Sequence, residues 1–214
     1  MVTMQVSAEI RLFWTGREPE MLGPWFLDES VHGCAAGGGL RRSDIYMRDA
    51  DQTELGVKQR GSKPGVEVKG LVEALPSPVS FSGEEVTIEI WSKWSSTLLK
   101  LEKPLSITLQ KRRWLRKFNS SEGSPVEVPL NASELPVTGG ALPRTGCNVE
   151  WTIIELSGKE LAWTLGFESF GCLQTVEGSL RAVLRLMNER KPPRTAGAFK
   201  GGYPAWLSRN PPES

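Results

Sequence analysis

The chain has 214 residues, 39% hydrophobic and 24% charged, with 26 basic against 25 acidic side chains and a formal net charge of +1. This is a globular composition at a length that one large β domain can fill. A general binder of nucleic acid or of membrane surfaces would carry a basic excess, and this chain has none.

The opening, Met1 to Ile10, lacks a signal-peptide core, and no apolar run is long enough to span a bilayer. The expectation is a soluble, cytoplasmic protein without membrane contact. Residues 5–14 predict a first strand, with Glu9 and Arg11 on one face. Residues 17–40 read as irregular, with a short helical turn near Trp25 to Ser30. This stretch holds the one histidine, His32, beside Cys34 and the run Gly37-Gly38-Gly39. Any Ser-His-Asp or Cys-His mechanism would have to use His32, and the glycine run matches neither a P-loop nor GxGxxG, so the stretch reads as a loop. Cys34, Cys147 and Cys172 are widely spaced with no CxxC pair, which predicts reduced thiols and no structural zinc site.

Further strands are predicted at about 44–49, 54–60, 65–73, 85–94, 104–118, 146–156 and 161–168, with Gly61 to Gly65 as a compact hairpin connection. Residues 119–145 read as a long exposed excursion between strands. Leu180, Val183, Leu184 and Met187 recur at helical spacing behind a capping Thr175, and Pro192-Pro193 ends that helix. The tail is Pro-rich from about residue 191, with Tyr203 and Trp206 as packing anchors. No repeat or linker divides the chain. The predicted fold is a single mainly-β (α+β) domain over residues 1–214: an eight-stranded antiparallel barrel or tunnel with flanking helices, the C-terminal one clearly marked.

The strands carry charges where core is usual. Side chains alternate faces along a strand, so Lys58 and Arg60 share one face, as do Glu67 and Lys69, while Val57, Val66, Val68, Ile88 and Ile90 take the other. By the same parity a closed sheet would collect Arg11, Lys58, Arg60, Lys69, Lys93, Lys111 and Arg113 inside, with Glu9, Glu67, Glu89, Glu150 and Glu168. Placing Lys111 and Arg113 inward also turns Ile107 and Leu109 inward unless that strand bulges. Unpaired buried charge is costly, so such a lumen needs partners, water or a ligand. Basic side chains on several strands suit a polyanion, and carboxylates beside them suit Mg²⁺ or Mn²⁺. The tryptophans read first as packing between strands and helix. A solvated sheet with lysine-guarded edges is the plain alternative. A lipocalin-like barrel would need an apolar interior.

Glu9-x-Arg11, Lys58-x-Arg60, Lys69, Glu89, Lys111-x-Arg113 and Glu168, in that order, resemble the CYTH, or triphosphate tunnel metalloenzyme, superfamily over residues 5–190. The resemblance implies an eight-stranded antiparallel tunnel that acts on a phosphorylated small molecule or polyphosphate. It assigns phosphate binding to Arg11, Lys58, Arg60, Lys69, Lys93, Lys111 and Arg113, and a Mg²⁺ or Mn²⁺ cofactor to Glu9, Glu89 and Glu168. It assigns no catalytic residue, and metal-dependent triphosphate hydrolysis is the activity it implies. The chain departs from the pattern twice. A first strand of Glu-x-Glu-x-Lys here has Arg11 for its second glutamate and Phe13 for its lysine, and a last-strand Glu-x-Glu here has Gly166 before Glu168. Two carboxylates are lost while the basic half is largely kept, so the alternative expectation is a catalytically degenerate tunnel: an anion- or nucleotide-binding module, or a protein-interaction module.

Overall fold

A computed structural model describes residues 2–28, 39–47, 51–61, 64–99, 101, 106–156, 158–194 and 196–210. His32, Cys34, Gly37 and Gly38 lie outside the described residues.

In chain order the elements are β1 (Val2–Thr15), α1 (Leu22–Leu27), β2 (Leu40–Met47), β3 (Leu55–Arg60), β4 (Val66–Ala74), β5 (Val79–Phe81), β6 (Glu84–Val86), β7 (Glu89–Ser96), β8 (Ser106–Asn119), β9 (Val126–Val128), β10 (Gly146–Leu156), β11 (Lys159–Phe170), α2 (Leu173–Glu189), β12 (Phe199–Lys200) and α3 (Tyr203–Arg209). The main sheet runs β10-β11-β1-β7-β4-β3-β2-β8, and a β8–β10 ladder from Gly146↔Asn119 to Glu155↔Gln110 joins its ends. The result is a closed, eight-stranded antiparallel β-barrel with a few helices around it. Closure leaves none of these eight strands an open edge over its paired length. Among the described residues, no helix is long and apolar enough to cross a membrane.

The main apolar core lies outside the barrel wall. Ile10, Leu12, Val149, Trp151, Leu165 and Phe167, on the outer faces of β1, β10 and β11, are buried with Val176, Leu180, Val183, Leu184 and Met187 of α2. Those five helix positions form one stripe at i, i+4, i+7, i+8 and i+11, the face that burial selects. Phe26 of α1 and Phe81 of the β5–β6 hairpin complete the layer. With the apolar face turned to the helices, the charged face is turned into the lumen.

Several expectations need correction. The strand predicted over 85–94 is two, because Thr87 and Ile88 leave the ladder between β6 and β7. Cys172, not Thr175, is the N-cap residue of α2; Thr175 sits in the first turn and its Oγ1 donates to the Cys172 carbonyl at 3.0 Å. The 119–145 segment is not a free excursion. Its β9 pairs with β8, and it returns Glu127 to Arg116 and Glu134 to Arg113.

β8 does not bulge. Ile107 and Leu109 do point inward, into a second cluster with Phe13, Tyr46, Ile154, Ala162, Tyr203, Trp206 and Leu207. This cluster is a plug. Helix α3 closes one mouth of the barrel, with Trp206 stacked on Phe13 at 5.0 Å between centroids and its Nε1 donating to Thr15 Oγ1 at 3.2 Å. Tyr203 stacks on Tyr46 at 5.4 Å. At the opposite mouth Gly65 takes φ +97°, and a Cβ there would lie 2.4 Å from the Ser96 carbonyl oxygen. Only glycine lets the β3–β4 connection pass so close to β7.

Candidate functional site

Because β1 pairs with β7 and β11, and β2 with β3 and β8, the inward positions meet along the lumen. They are Glu9 and Arg11 (β1), Arg42, Asp44 and Tyr46 (β2), Lys58 and Arg60 (β3), Glu67 and Lys69 (β4), Trp91 and Lys93 (β7), Lys111 and Arg113 (β8), Glu150 (β10) and Glu168 (β11). Gly202, Tyr203 and Pro204 form the floor. Counted to its open mouth the cavity has about 720 Å³, of which about 70 Å³ is clear enough for the centre of a water molecule. The rest is solvent at the mouth and gaps too narrow for a water molecule between the lining side chains.

Seven basic side chains line this cavity against four acidic ones. The imbalance is held by sharing. Glu67 sits between Lys58 (3.3 Å) and Arg60 (3.6 Å). Glu150 sits between Arg11 (3.1 Å) and Arg113 (2.6 Å), and Asp44, fully buried, sits between Arg42 and Lys111 at 3.3 Å each. Lys69 contacts both carboxylate oxygens of Glu9, which also accepts from Ser7 Oγ at 2.5 Å, and Lys93 lies 3.6 Å from Glu168. Arg113 is also held by Glu134. A carboxylate shared by two cations neutralises one of them, so positive charge is left over in a partly desolvated site, where it acts strongly.

The ionisation equilibria follow. Burial pushes the Glu168 carboxyl up, but Lys69 and Lys93 outweigh it and hold it down to about 2. Burial likewise opposes ionised Glu150, which Arg113, Arg11 and Arg42 hold well below the usual carboxylate range. Asp44 and Glu67 are lowered the same way, against burial, by Lys111 and Arg42 and by Lys58 and Arg60. Burial lowers Lys58 and takes Lys111 well below the ordinary lysine value, with Asp44 pulling Lys111 the other way. Lys111 Nζ donates to Tyr46 Oη at 2.5 Å and lies 3.6 Å from the centre of the Tyr203 ring. Burial also pushes the Tyr203 hydroxyl up to about 12.

Six of the seven basic residues that the resemblance assigns to phosphate line the cavity: Arg11, Lys58, Arg60, Lys69, Lys93 and Lys111. Arg113 joins them through Glu150. The glutamates are another matter. Glu9 and Glu168 line the same cavity and are cross-strand partners, but each carboxylate is taken by a lysine. Glu89 is also opposite Glu9, yet it accepts from Trp91 Nε1 at 3.0 Å and borders a separate groove beside Phe199 and Lys200. Burial, and then Glu9, raise its carboxyl, with the Trp91 bond acting against them. Among the described residues no three His, Cys, Asp or Glu side chains come together as a metal-ligand group. With Arg11 and Lys69 beside the two remaining carboxylates, the donor set does not fit Mg²⁺ or Mn²⁺.

Arg42 lies before the strand predicted at 44–49, whereas Asp44 and Tyr46 lie inside it and are absent from the inward set; the alternation Arg-x-Asp-x-Tyr is the signal for all three. Tyr203 was legible only as a packing anchor. Trp91 lines the cavity, whereas Trp14, Trp151 and Trp163 belong to the outer core and Trp206 to the plug. No protein-family model, no curated protein and no solved structure matches the chain.

Proposed function

We propose that the barrel binds a phosphorylated anion, a triphosphate or the phosphate chain of a nucleotide, in its closed-ended lumen. The observation that carries this reading is the basic excess lining the cavity, sustained by three carboxylates each shared between two cations. Arginine and lysine donate to phosphate oxygens through charge-assisted bonds, and phosphate offers more acceptor oxygens than the shared carboxylate it would relieve. Arg60, Lys69, Lys93 and Lys58, the most exposed basic side chains of the lumen, give the anion its first contacts. Arg11, Arg42 and Lys111, beside Tyr46 and the plug, make the deeper set. Binding is the activity this donor set supports; a metal-assisted hydrolysis would need carboxylates that lysines now occupy.

The test is a thermal-shift titration with tripolyphosphate and with ATP, each with and without Mg²⁺ and Mn²⁺, followed by phosphate release on the same samples. Stabilisation that falls on Lys58→Ala or Arg60→Ala is the expected result. No shift with either anion sinks the reading, and metal-dependent phosphate release would replace it with an enzyme.

A further inference from the structure

The chain's departures from the tunnel pattern in its two acidic motifs meet in space. Arg11 and Gly166 are direct cross-strand partners in the β1–β11 ladder. The guanidinium of Arg11 lies over Gly166 so closely that a Cβ there would come within 2.4 Å of Cζ and 2.5 and 2.6 Å of the two terminal nitrogens. From that seat Nη2 donates to Glu150 Oε2 at 3.1 Å and Nη1 to Thr164 Oγ1 at 3.4 Å, and Cζ stands 5.1 Å from the centre of the Tyr203 ring. Its side chain is only 8% exposed. The group is thus a nearly buried, pre-positioned cation at the deep end of the lumen, beside the strand positions of Glu9 and Glu168.

We infer that Arg11, seated in the space left by Gly166, takes the place of a divalent cation in this lumen, so that phosphate binding here needs no metal. The inference rests on the anion-binding reading above. Its physical basis is the chemistry of the group. A guanidinium stays charged throughout the accessible pH range and presents five N–H donors, of which Glu150 and Thr164 engage two. Burial works against its charge, but Tyr203 and the carboxylates of Glu150, Glu9 and Glu168 more than offset it and raise the guanidinium above its ordinary value. A metal ion entering beside it would meet the positive charges of Arg11 and Lys69 and would have to displace Lys69 from Glu9. The two residues also fit each other. The arginine fits because the facing residue is glycine, and the vacant glycine position is filled by the arginine.

The experiment is isothermal titration of the full chain with inorganic tripolyphosphate, first in EDTA and then with excess Mg²⁺ or Mn²⁺. Arg11→Gln and Gly166→Ala are titrated alongside, with circular-dichroism melts to verify folding. The expected result is binding in EDTA that added metal leaves equal or weaker, since the ion neutralises the free ligand. Each variant should bind about 10- to 100-fold more weakly in EDTA, the range for losing a charged hydrogen bond. Wild-type binding only with metal, or unchanged affinity in both folded variants, overturns the inference while leaving the anion site standing. Wild-type silence in both conditions overturns the anion reading itself, and this inference with it. If neither variant folds, the wild-type comparison with and without metal still decides.

Discussion

Replacing Gly166 by alanine tests whether Arg11 is held across the lumen or merely passes near it. The added methyl would sit 2.4–2.6 Å from the guanidinium, well inside contact, and the atoms it meets are the far end of a long side chain. Arg11 will therefore move rather than the strands, and will give up its bonds to Glu150 and Thr164. A hydrogen bond to a charged group contributes about 1.5–3 kcal/mol. Glu150 keeps Arg113 at 2.6 Å, so no carboxylate is stranded and the lower half of that range applies. Alanine in a strand also recovers about 0.5–1 kcal/mol of backbone entropy. The net expectation is a loss of about 1 kcal/mol, or about 0.5 M in the urea midpoint at a slope of about 2 kcal/mol/M. Tryptophan fluorescence in urea reads it. The decisive control is the sign change: in an Arg11→Ala background the same Gly166→Ala step has no guanidinium to displace and should be neutral or stabilising. A midpoint that drops equally in both backgrounds refutes the seating of Arg11 over Gly166.

Trp206→Ala should cost about 3–5 kcal/mol, because the ring is fully buried, stacked on Phe13 and hydrogen-bonded to Thr15; a thermal melt within a degree or two of wild type would mean that α3 is not the plug. Stability should fall in acid. The carboxyls of Asp44, Glu67, Glu150 and Glu168 are held below their unfolded values, so their contribution is complete above about pH 4.5 and is lost as pH drops through the folded values. Glu168, held at about 2, accounts for about 3 kcal/mol of this. The raised Glu89 runs weakly the other way. Urea midpoints that do not change between pH 5 and pH 3 would contradict the paired lumen. Glu127→Ala should destabilise by about 3–5 kcal/mol, since it removes both carboxylate bonds of the buried Arg116 (2.7 Å each) and the bond from Arg190 (3.1 Å). Chemical denaturation reads this, and a loss below 1 kcal/mol would show that the 119–145 segment is not anchored through Glu127.

Much of the barrel was written in local pattern. A strand's two-residue period assigns faces without knowledge of any partner, so the inward set from Glu9 and Arg11 through Lys58, Lys69 and Lys111 to Glu168 could be read by parity. The 3.6-residue period of α2 marked its buried stripe in the same way. At β2 the true strand starts four residues before the predicted one, which leaves Arg42 outside the parity argument, and the shorter stretch does not mark Asp44 and Tyr46 as part of the inward set. Partner choice is a different kind of information. Arg11 meets Glu150 across 139 residues of sequence, and Arg113 meets Glu134 because a segment that reads as exposed folds back over β8. The parity of β8 turns Ile107 and Leu109 inward, but only the fold shows that α3 supplies the apolar plug they face. Alternation is a property of one strand and is settled locally by backbone geometry. Register, closure and the plug depend on the contact free energy of the whole packed barrel, and only the tertiary structure decides which cation each carboxylate meets and that Gly166 is the seat of Arg11.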